Sequence, residues 1–219
     1  MAPCGRVLLY GAVHHPYEAS RGTFDLVRYD VNDMVPGHDH KPSALHHLHH
    51  DLAMSVTLHT THGDLKIEVF CEAVPKTAEN FLGLCASGYY DGCLFHRNIK
   101  GFMVQTGDPT GNGKGGQSIW GAPFADEIRS TLKFNNRGIV AMANSGPDSN
   151  KSQFFVAYAK QPHLDGKYTI FGKVIDGADS TLDAIESVPV NPKNRPLNEI
   201  KLIKITVHAN PIADAALRS

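Results

Sequence analysis

Thirteen histidines are the most conspicuous chemically capable residues in this 219-residue chain, and they are unevenly placed. Eight of them (His14, His15, His38, His40, His46, His47, His49 and His50) fall within the first 53 residues. His46 with His49, or His46 with His50, would share one face of a helix, an arrangement that can hold a metal ion. No cysteine or carboxylate stands beside them in a recognised zinc-ligand spacing, so a solvated polar tail with adventitious metal affinity is the favoured reading. Gly111-Asn112-Gly113-Lys114-Gly115-Gly116 satisfies the dinucleotide pattern G-x-G-x-x-G, but Gln117 to Pro123, the next residues, do not start a helix. Gly115 after Lys114 also breaks the phosphate-loop pattern, and a flexible surface loop is expected there. No G-x-S-x-G elbow, cysteine-nucleophile signature or carboxylate pair stands out, which leaves hydrolytic chemistry with little support. Asn150-Lys151-Ser152 is formally a glycosylation acceptor, relevant only in a secreted chain.

The elements that must position any site begin at a seam. Residues 1–53 show no sustained period and are rich in His, Gly, Pro and Asp, which predicts an extension with little packed structure. From Met54 the pattern changes. Ser55 to Thr61 and Leu65 to Phe70 alternate apolar and polar around His62-Gly63-Asp64, predicting a β-hairpin. Pro75 opens a helix whose stripe is Ala78, Phe81, Leu82 and Cys85 and which Gly88 closes. Further strands are predicted at Leu94–Arg97, Phe102–Thr106, Ile139–Ala143, Gln153–Tyr158, Thr169–Val174 and Ile200–His208, with a second helix at Ser180–Ser187. Eight short strands between Gly-, Pro- and Asn-rich turns favour a closed barrel over a parallel sheet.

Composition narrows the function classes. Lys plus Arg number 21 against 22 acids, a net charge of −1, which lacks the basic excess of a dedicated nucleic-acid binder. No apolar run reaches the length of a membrane span. Four cysteines, Cys4, Cys71, Cys85 and Cys93, with no C-x-x-C pair, read as reduced thiols of a cytoplasmic or nuclear protein. Arg6 followed by Val7 to Val13 is too short, and too poorly flanked, for a signal peptide.

The stretch Phe95-His96-Arg97-Asn98-Ile99-Lys100-Gly101-Phe102-Met103-Val104-Gln105-Thr106-Gly107-Asp108 is a stronger signal, because it resembles the central signature of the cyclophilin family of peptidyl-prolyl cis–trans isomerases. Three further blocks agree in order and spacing: Met142-Ala143-Asn144, Ser152-Gln153-Phe154-Phe155, and Leu164-Asp165-Gly166-Lys167 with Phe171-Gly172-Lys173-Val174. The resemblance covers residues 54–213, leaving 1–53 as the His-rich extension and 214–219 as a tail. It implies a mainly β fold, a closed eight-stranded antiparallel barrel capped by two α-helices. Met54 to Thr60, His96 to Lys100, Ser118 to Gly121 and Lys160 to Leu164 are similar to the peptidyl-prolyl isomerase-like protein three group. That group consists of small single-domain cyclophilins associated with the nucleus and the spliceosome. The partners this implies are Pro-containing protein segments, with spliceosomal proteins among them. Neither direct nucleic-acid nor membrane binding is expected, and the protein is expected to be a cytoplasmic or nuclear monomer.

Rotation about X–Pro requires the C–N bond to lose its partial double-bond character, against a barrier of about 18–20 kcal/mol. No nucleophile, metal or cofactor is needed, only a site that binds the twisted amide better than either planar form. As the amide twists, the proline nitrogen recovers its lone pair, and a fixed donor aimed at it stabilises that state. Arg97 is the candidate, with a planar and permanently charged guanidinium. By resemblance, Phe102, Met103, Phe155 and Leu164 wall the proline pocket, Gln105 and Asn144 bind the substrate backbone, and Ala143 lines the groove. Two positions depart from the family. His163 replaces a pocket-edge tryptophan, so tight cyclosporin binding is not expected. Tyr168 stands where a histidine is frequent and keeps an aromatic face and a hydroxyl. A catalytically weak module that binds Pro-containing segments in a nuclear complex is the alternative that His163 raises.

Because the family pattern begins at Met54, a major cellular species starting at or near that residue is expected. Mass spectrometry of the native N-terminus checks this, and abundant peptides from residues 1–40 would contradict it.

Overall fold

The computed structural model describes residues 8–11, 27–30 and 54–208. Packing divides the chain into two units, Met1–His50 and Asp51–Ser219. In the first unit β1 (Leu8–Gly11) pairs antiparallel with β2 (Val27–Asp30), with Leu8 opposite Asp30, a pairing the sequence pattern does not anticipate. The eight early histidines, and the expected boundary between 213 and a 214–219 tail, lie outside the described residues.

The second unit carries the expected hairpin, both helices and six more strands, the first of which is Arg97–Ile99 rather than the expected Leu94–Arg97, because Leu94 makes only an isolated bridge to Lys201. In chain order these are β3 (Met54–Thr60), β4 (Gly63–Val69), α1 (Pro75–Ala86), β5 (Arg97–Ile99), β6 (Met103–Thr106) and β7 (Ile139–Met142). They are followed by β8 (Phe154–Ala157), β9 (Ile170–Asp176), α2 (Thr181–Glu186) and β10 (Leu202–His208). Every pairing is antiparallel, in the order β10-β3-β4-β9-β7-β8-β6-β5. The alternation works as expected in the first hairpin: Val56 and Leu58 from β3 and Leu65, Ile67 and Val69 from β4 are buried.

The closed barrel is not observed. The eight strands form a curled half-barrel whose ladder stays open between β5 and β10. β5 is only three residues long and pairs with β6 alone. The chain before it reaches β10 through the Phe95 and Leu202 N–H groups, which donate to Ile200 O and Cys93 O, and through an isolated bridge between Leu94 and Lys201. A register shift between Leu202 and Lys204 interrupts β10 where it pairs with β3. A short edge strand facing an irregular one makes a few bonds but not the continuous ladder that closure needs.

α1 starts at Pro75 as the missing N–H favours, yet its N-cap Val74 offers no side-chain acceptor. Glu127 supplies one from fifty residues away. Its carboxylate accepts from the Thr77 N–H and Oγ1, each at 2.7 Å, and from the Lys76 N–H at 3.3 Å. Gly88, at φ 69°, turns the chain out of the helix in the left-handed region that favours glycine. The buried face is Ala78, Phe81, Leu84 and Cys85, while the expected Leu82 is half-buried. Phe81 centres the interior core, 4.7 Å from Phe171 and 5.3 Å from Phe154 between ring centroids.

Glu127 joins two orphan helix donors to a carboxylate at the positive end of the helix dipole, so Glu127→Ala is expected to cost about 1–2 kcal/mol. Urea unfolding of the two proteins checks this. An unchanged midpoint would show that water replaces the cap without loss.

Candidate active site

The strands β6, β7 and β8 send alternate residues to two separate apolar clusters. Val104, Val140, Met142, Phe154 and Val156 enter the interior core. Met103, Ile139, Ala141, Phe155 and Ala157 point the other way, into a second cluster with Phe134, Leu164 and Ile170. Residues directly opposite in an antiparallel ladder share a face. Arg97 lies opposite Gln105, Gln105 opposite Phe155, and Phe155 opposite Ala141, which makes one row across β5, β6, β8 and β7. Met103 stands opposite Ile99 and Ala157 in the neighbouring row of that face.

The expected pocket residues therefore meet. Met103, Phe155 and Leu164 are buried, and Phe102, Ala143 and Tyr168 pack half-buried against them in the second cluster. Phe155 is its centre: the Phe134 ring lies parallel at 5.8 Å and the Tyr168 ring meets it edge-on at 5.5 Å. The short 3-10 turn Pro162–Leu164 turns Leu164 inward and leaves His163 exposed, stacked on Phe102 at 5.8 Å and 27°. This turn is pinned by Gln161, whose N–H donates to Phe134 O and whose Nε2 donates to Gly101 O, and by Asp165, which accepts the Phe134 N–H. Arg97 is exposed on β5, and its guanidinium has no ion-pair partner among the described residues.

Asn144 follows Ala143 at the end of β7, half-buried. Its Nδ2 donates to Lys167 O at 3.3 Å and faces Asp126 Oδ1 at 3.5 Å, while its Oδ1 accepts the Gly146 N–H at 3.4 Å. The side chain thus ties two loops of the groove edge together.

Sequence reasoning missed three parts of this region. Phe134 lies in a stretch without periodicity and carries no signal. Gln153 was legible, since it sits two residues before Phe155 and alternation puts both on one face. Its Oε1 accepts from Gln105 Nε2 and its Nε2 donates to Gly115 O, each at 2.8 Å. The third is the glycine loop. No helix comes after it, as the failed dinucleotide pattern implies, but it is not the loose segment expected. It folds around the buried carboxylate of Asp108, which accepts from the Thr110 N–H and Oγ1 and from the Gly113 and Gly115 N–H groups. Burial alone would raise the Asp108 pKa, but these four bonds outweigh it and hold the carboxyl below its ordinary value. His96 beside it is lowered, chiefly by burial.

Other chemistries lose ground. Burial pushes the Cys71 and Cys93 thiols up to about 11, and Cys85 is raised well above its ordinary value, also by burial. None of the three is a thiolate at neutral pH. Asn150 is fully buried with its Nδ2 donated to Asp126 Oδ1 and Phe124 O, so it cannot receive a glycan. Among the described residues no helix is long and apolar enough to cross a membrane.

Comparison with known proteins points to one family. The family described as cyclophilin type peptidyl-prolyl cis-trans isomerase/CLD matches residues 55–207. Peptidyl-prolyl cis-trans isomerase-like 3 of Rhizopus delemar is 72% identical over 170 residues, covering 75% of this chain and 100% of that protein. The protein of the same name in Homo sapiens is 68% identical over 161 residues, 73% of this chain and 99% of its own. A crystal structure of a Cryptosporidium parvum cyclophilin type isomerase, obtained in the presence of the dipeptide Ala-Pro, superposes with a TM-score of 0.69 at 50% identity. The match covers 71% of this chain and 99% of that one.

A carboxyl held below its ordinary pKa contributes stability that is present at neutral pH and lost as pH falls through the folded value. Acidification to below the ordinary aspartate range is therefore expected to release the Gly113 and Gly115 amides to hydrogen exchange. Asp108→Asn should expose them already at neutral pH, at a cost of about 1–3 kcal/mol in urea unfolding. Equal protection in both proteins at pH 7 would contradict the cradle.

Proposed function

The chain belongs to the cyclophilin-type peptidyl-prolyl cis–trans isomerase family, and on that premise we propose that it turns X–Pro bonds of protein segments laid along the face described above. The proline ring enters the cluster of Phe102, Met103, Phe155 and Leu164, and burying it there removes apolar surface from water. Arg97 donates toward the proline nitrogen as the amide twists. Gln105 and the Ala143-Asn144 edge hold the flanking peptide. The observation that carries this reading is the single register row in which Arg97, Gln105 and Phe155 share a face. A permanent cation without an ion-pair partner among the described residues is thereby set beside an apolar pocket, and its charge is free to act on a substrate. No proton needs to move and no bond needs to break, so the thiols and the buried histidine have no part in the reaction.

His163 favours a second reading. It offers an imidazole face on Phe102 where many relatives place a larger indole, so the pocket edge is smaller and more polar. A groove of this kind could hold Pro-containing segments with slow turnover, as a binding module of a nuclear complex. The expected setting, cytoplasm and nucleus with spliceosomal partners, rests on the sequence resemblance to one subgroup and forms part of the proposal.

Exchange spectroscopy on a short X–Pro peptide separates the two readings. The wild type is expected to accelerate cis–trans exchange, and Arg97→Ala to lower kcat/KM by about 10²-fold while peptide-induced shifts persist. Shifts without acceleration by the wild type would establish the binding module instead.

A further inference from the structure

Four donors converge on one carboxylate immediately after β6. Asp108 Oδ1 accepts from the Thr110 N–H at 2.9 Å and Oγ1 at 2.7 Å, and Oδ2 accepts from the Gly113 N–H at 2.7 Å and the Gly115 N–H at 3.2 Å. Two positions of the wrap leave no room for a side chain: a Cβ at Gly115 would collide with Asp108 Oδ1, and one at Gly116 with Ser152 Oγ. Ser152 is fixed in turn, its Oγ donating to Gly107 O at 2.7 Å and its own carbonyl accepting from Tyr90 Oη at 2.9 Å. The loop backbone is thereby held to one course, and Gly115 O meets Gln153 Nε2 at 2.8 Å.

That contact has a polarity. A backbone carbonyl can only accept, so Gln153 must turn its Nε2 toward Gly115 and its Oε1 toward β6. Gln105 must then answer with Nε2, and does so at 2.8 Å. The end of the Gln105 amide left over is Oε1, an acceptor, on the face it shares with Arg97 opposite. Without the Gly115 carbonyl both glutamines could flip, and Gln105 could present a donor to Arg97 and to a substrate N–H.

We infer that Asp108 is a positioning residue for the isomerase site: through the Gly115 carbonyl and Gln153 it sets the acceptor end of Gln105 toward Arg97 and the substrate backbone. It acts by orientation, through those intervening groups, and touches no substrate itself. The inference rests on the proposed use of this face as the substrate groove. Its structural half, the amide polarity, does not depend on whether the wild type turns over.

The test compares the wild-type full chain with Asp108→Asn and Gln153→Met. Asp108→Asn removes an acceptor from the cradle. Gln153→Met keeps the cradle but removes both the donor to Gly115 and the acceptor for Gln105. The readouts are the side-chain NH2 resonances and hydrogen exchange of Gln105, and kcat/KM by peptide exchange spectroscopy. Both variants are expected to shift the Gln105 NH2 signals and speed their exchange, and to lower kcat/KM by about tenfold, with Gly113 protection lost only in Asp108→Asn. If Asp108→Asn does not fold, Gln153→Met carries the same two readouts. Unmoved Gln105 NH2 signals in a folded variant overturn the relay whatever the activity. Moved signals with unchanged kcat/KM overturn its role in the reaction. A wild type that moves no exchange rate counts against the proposed function, and the NH2 signals still decide the polarity.

Discussion

The proposed site depends on the register of β5, β6 and β8. The ladder pairs Arg97 with Gln105 and Gln105 with Phe155, and a slip of one residue in any of these strands would carry its member of the row to the interior face. β5 has only three residues, too few to hold its register by ladder bonds alone. Side chains hold it. Tyr158 Oη donates to Asn98 Oδ1 at 2.7 Å from just beyond β8, and Asn98 Nδ2 donates to Ile185 O at 2.8 Å in α2. Asn98 is buried and points opposite to Arg97, so a satisfied polar anchor on one face keeps the charged group in place on the other. α2 is itself fastened through Glu186 and Asp183, which pair with Arg137. The exposed guanidinium thus stands at the end of a chain of buried contacts.

This construction explains why β7 and β8 are buried at every position although the sheet is antiparallel. One face belongs to the interior core around Phe81, Phe154 and Phe171, and the other to the cluster around Phe155. A sheet face that would ordinarily meet water is instead apolar, rimmed by Arg97 and Gln105. For an amide that must lose its resonance, these are the useful ingredients: a dry seat for the ring and an oriented charge beside it. Groups that would compete by forming or breaking bonds are kept out of play, since the described thiols are buried and raised.

Local physics was legible in the sequence and closure was not. Alternation and helical stripes placed seven of the eight strands and both helices near their observed bounds, because each is dictated by which side chains must leave water, while the expected Leu94–Arg97 strand meets the observed Arg97–Ile99 at one residue only. Arg97, Phe102, Met103, Gln105, Phe155 and Leu164 were expected from a family pattern; the register puts Arg97, Met103, Gln105 and Phe155 on one face, and Phe102 and Leu164 pack against that face from outside the ladder. Barrel closure depends on a register shift between Leu202 and Lys204 and on a three-residue edge strand, neither of which leaves a mark on hydrophobic pattern. Glu127 caps a helix fifty residues before it, and Phe134 reaches Phe155 from a segment without periodicity. Such contacts are tertiary in origin. The glycine loop is the instructive miss: the same composition that reads as flexibility is required by steric crowding around Asp108.

The central claim is that the Phe155 face is where a substrate proline sits. Intermolecular NOEs from the proline ring protons of an Ala-Pro-containing peptide test it most directly. The account predicts contacts to the Met103 methyl, the Phe155 ring and the Leu164 methyls, with none to the interior core residues Phe81 or Phe171. Proline contacts confined to another surface, with the Phe155 cluster unperturbed, would contradict it.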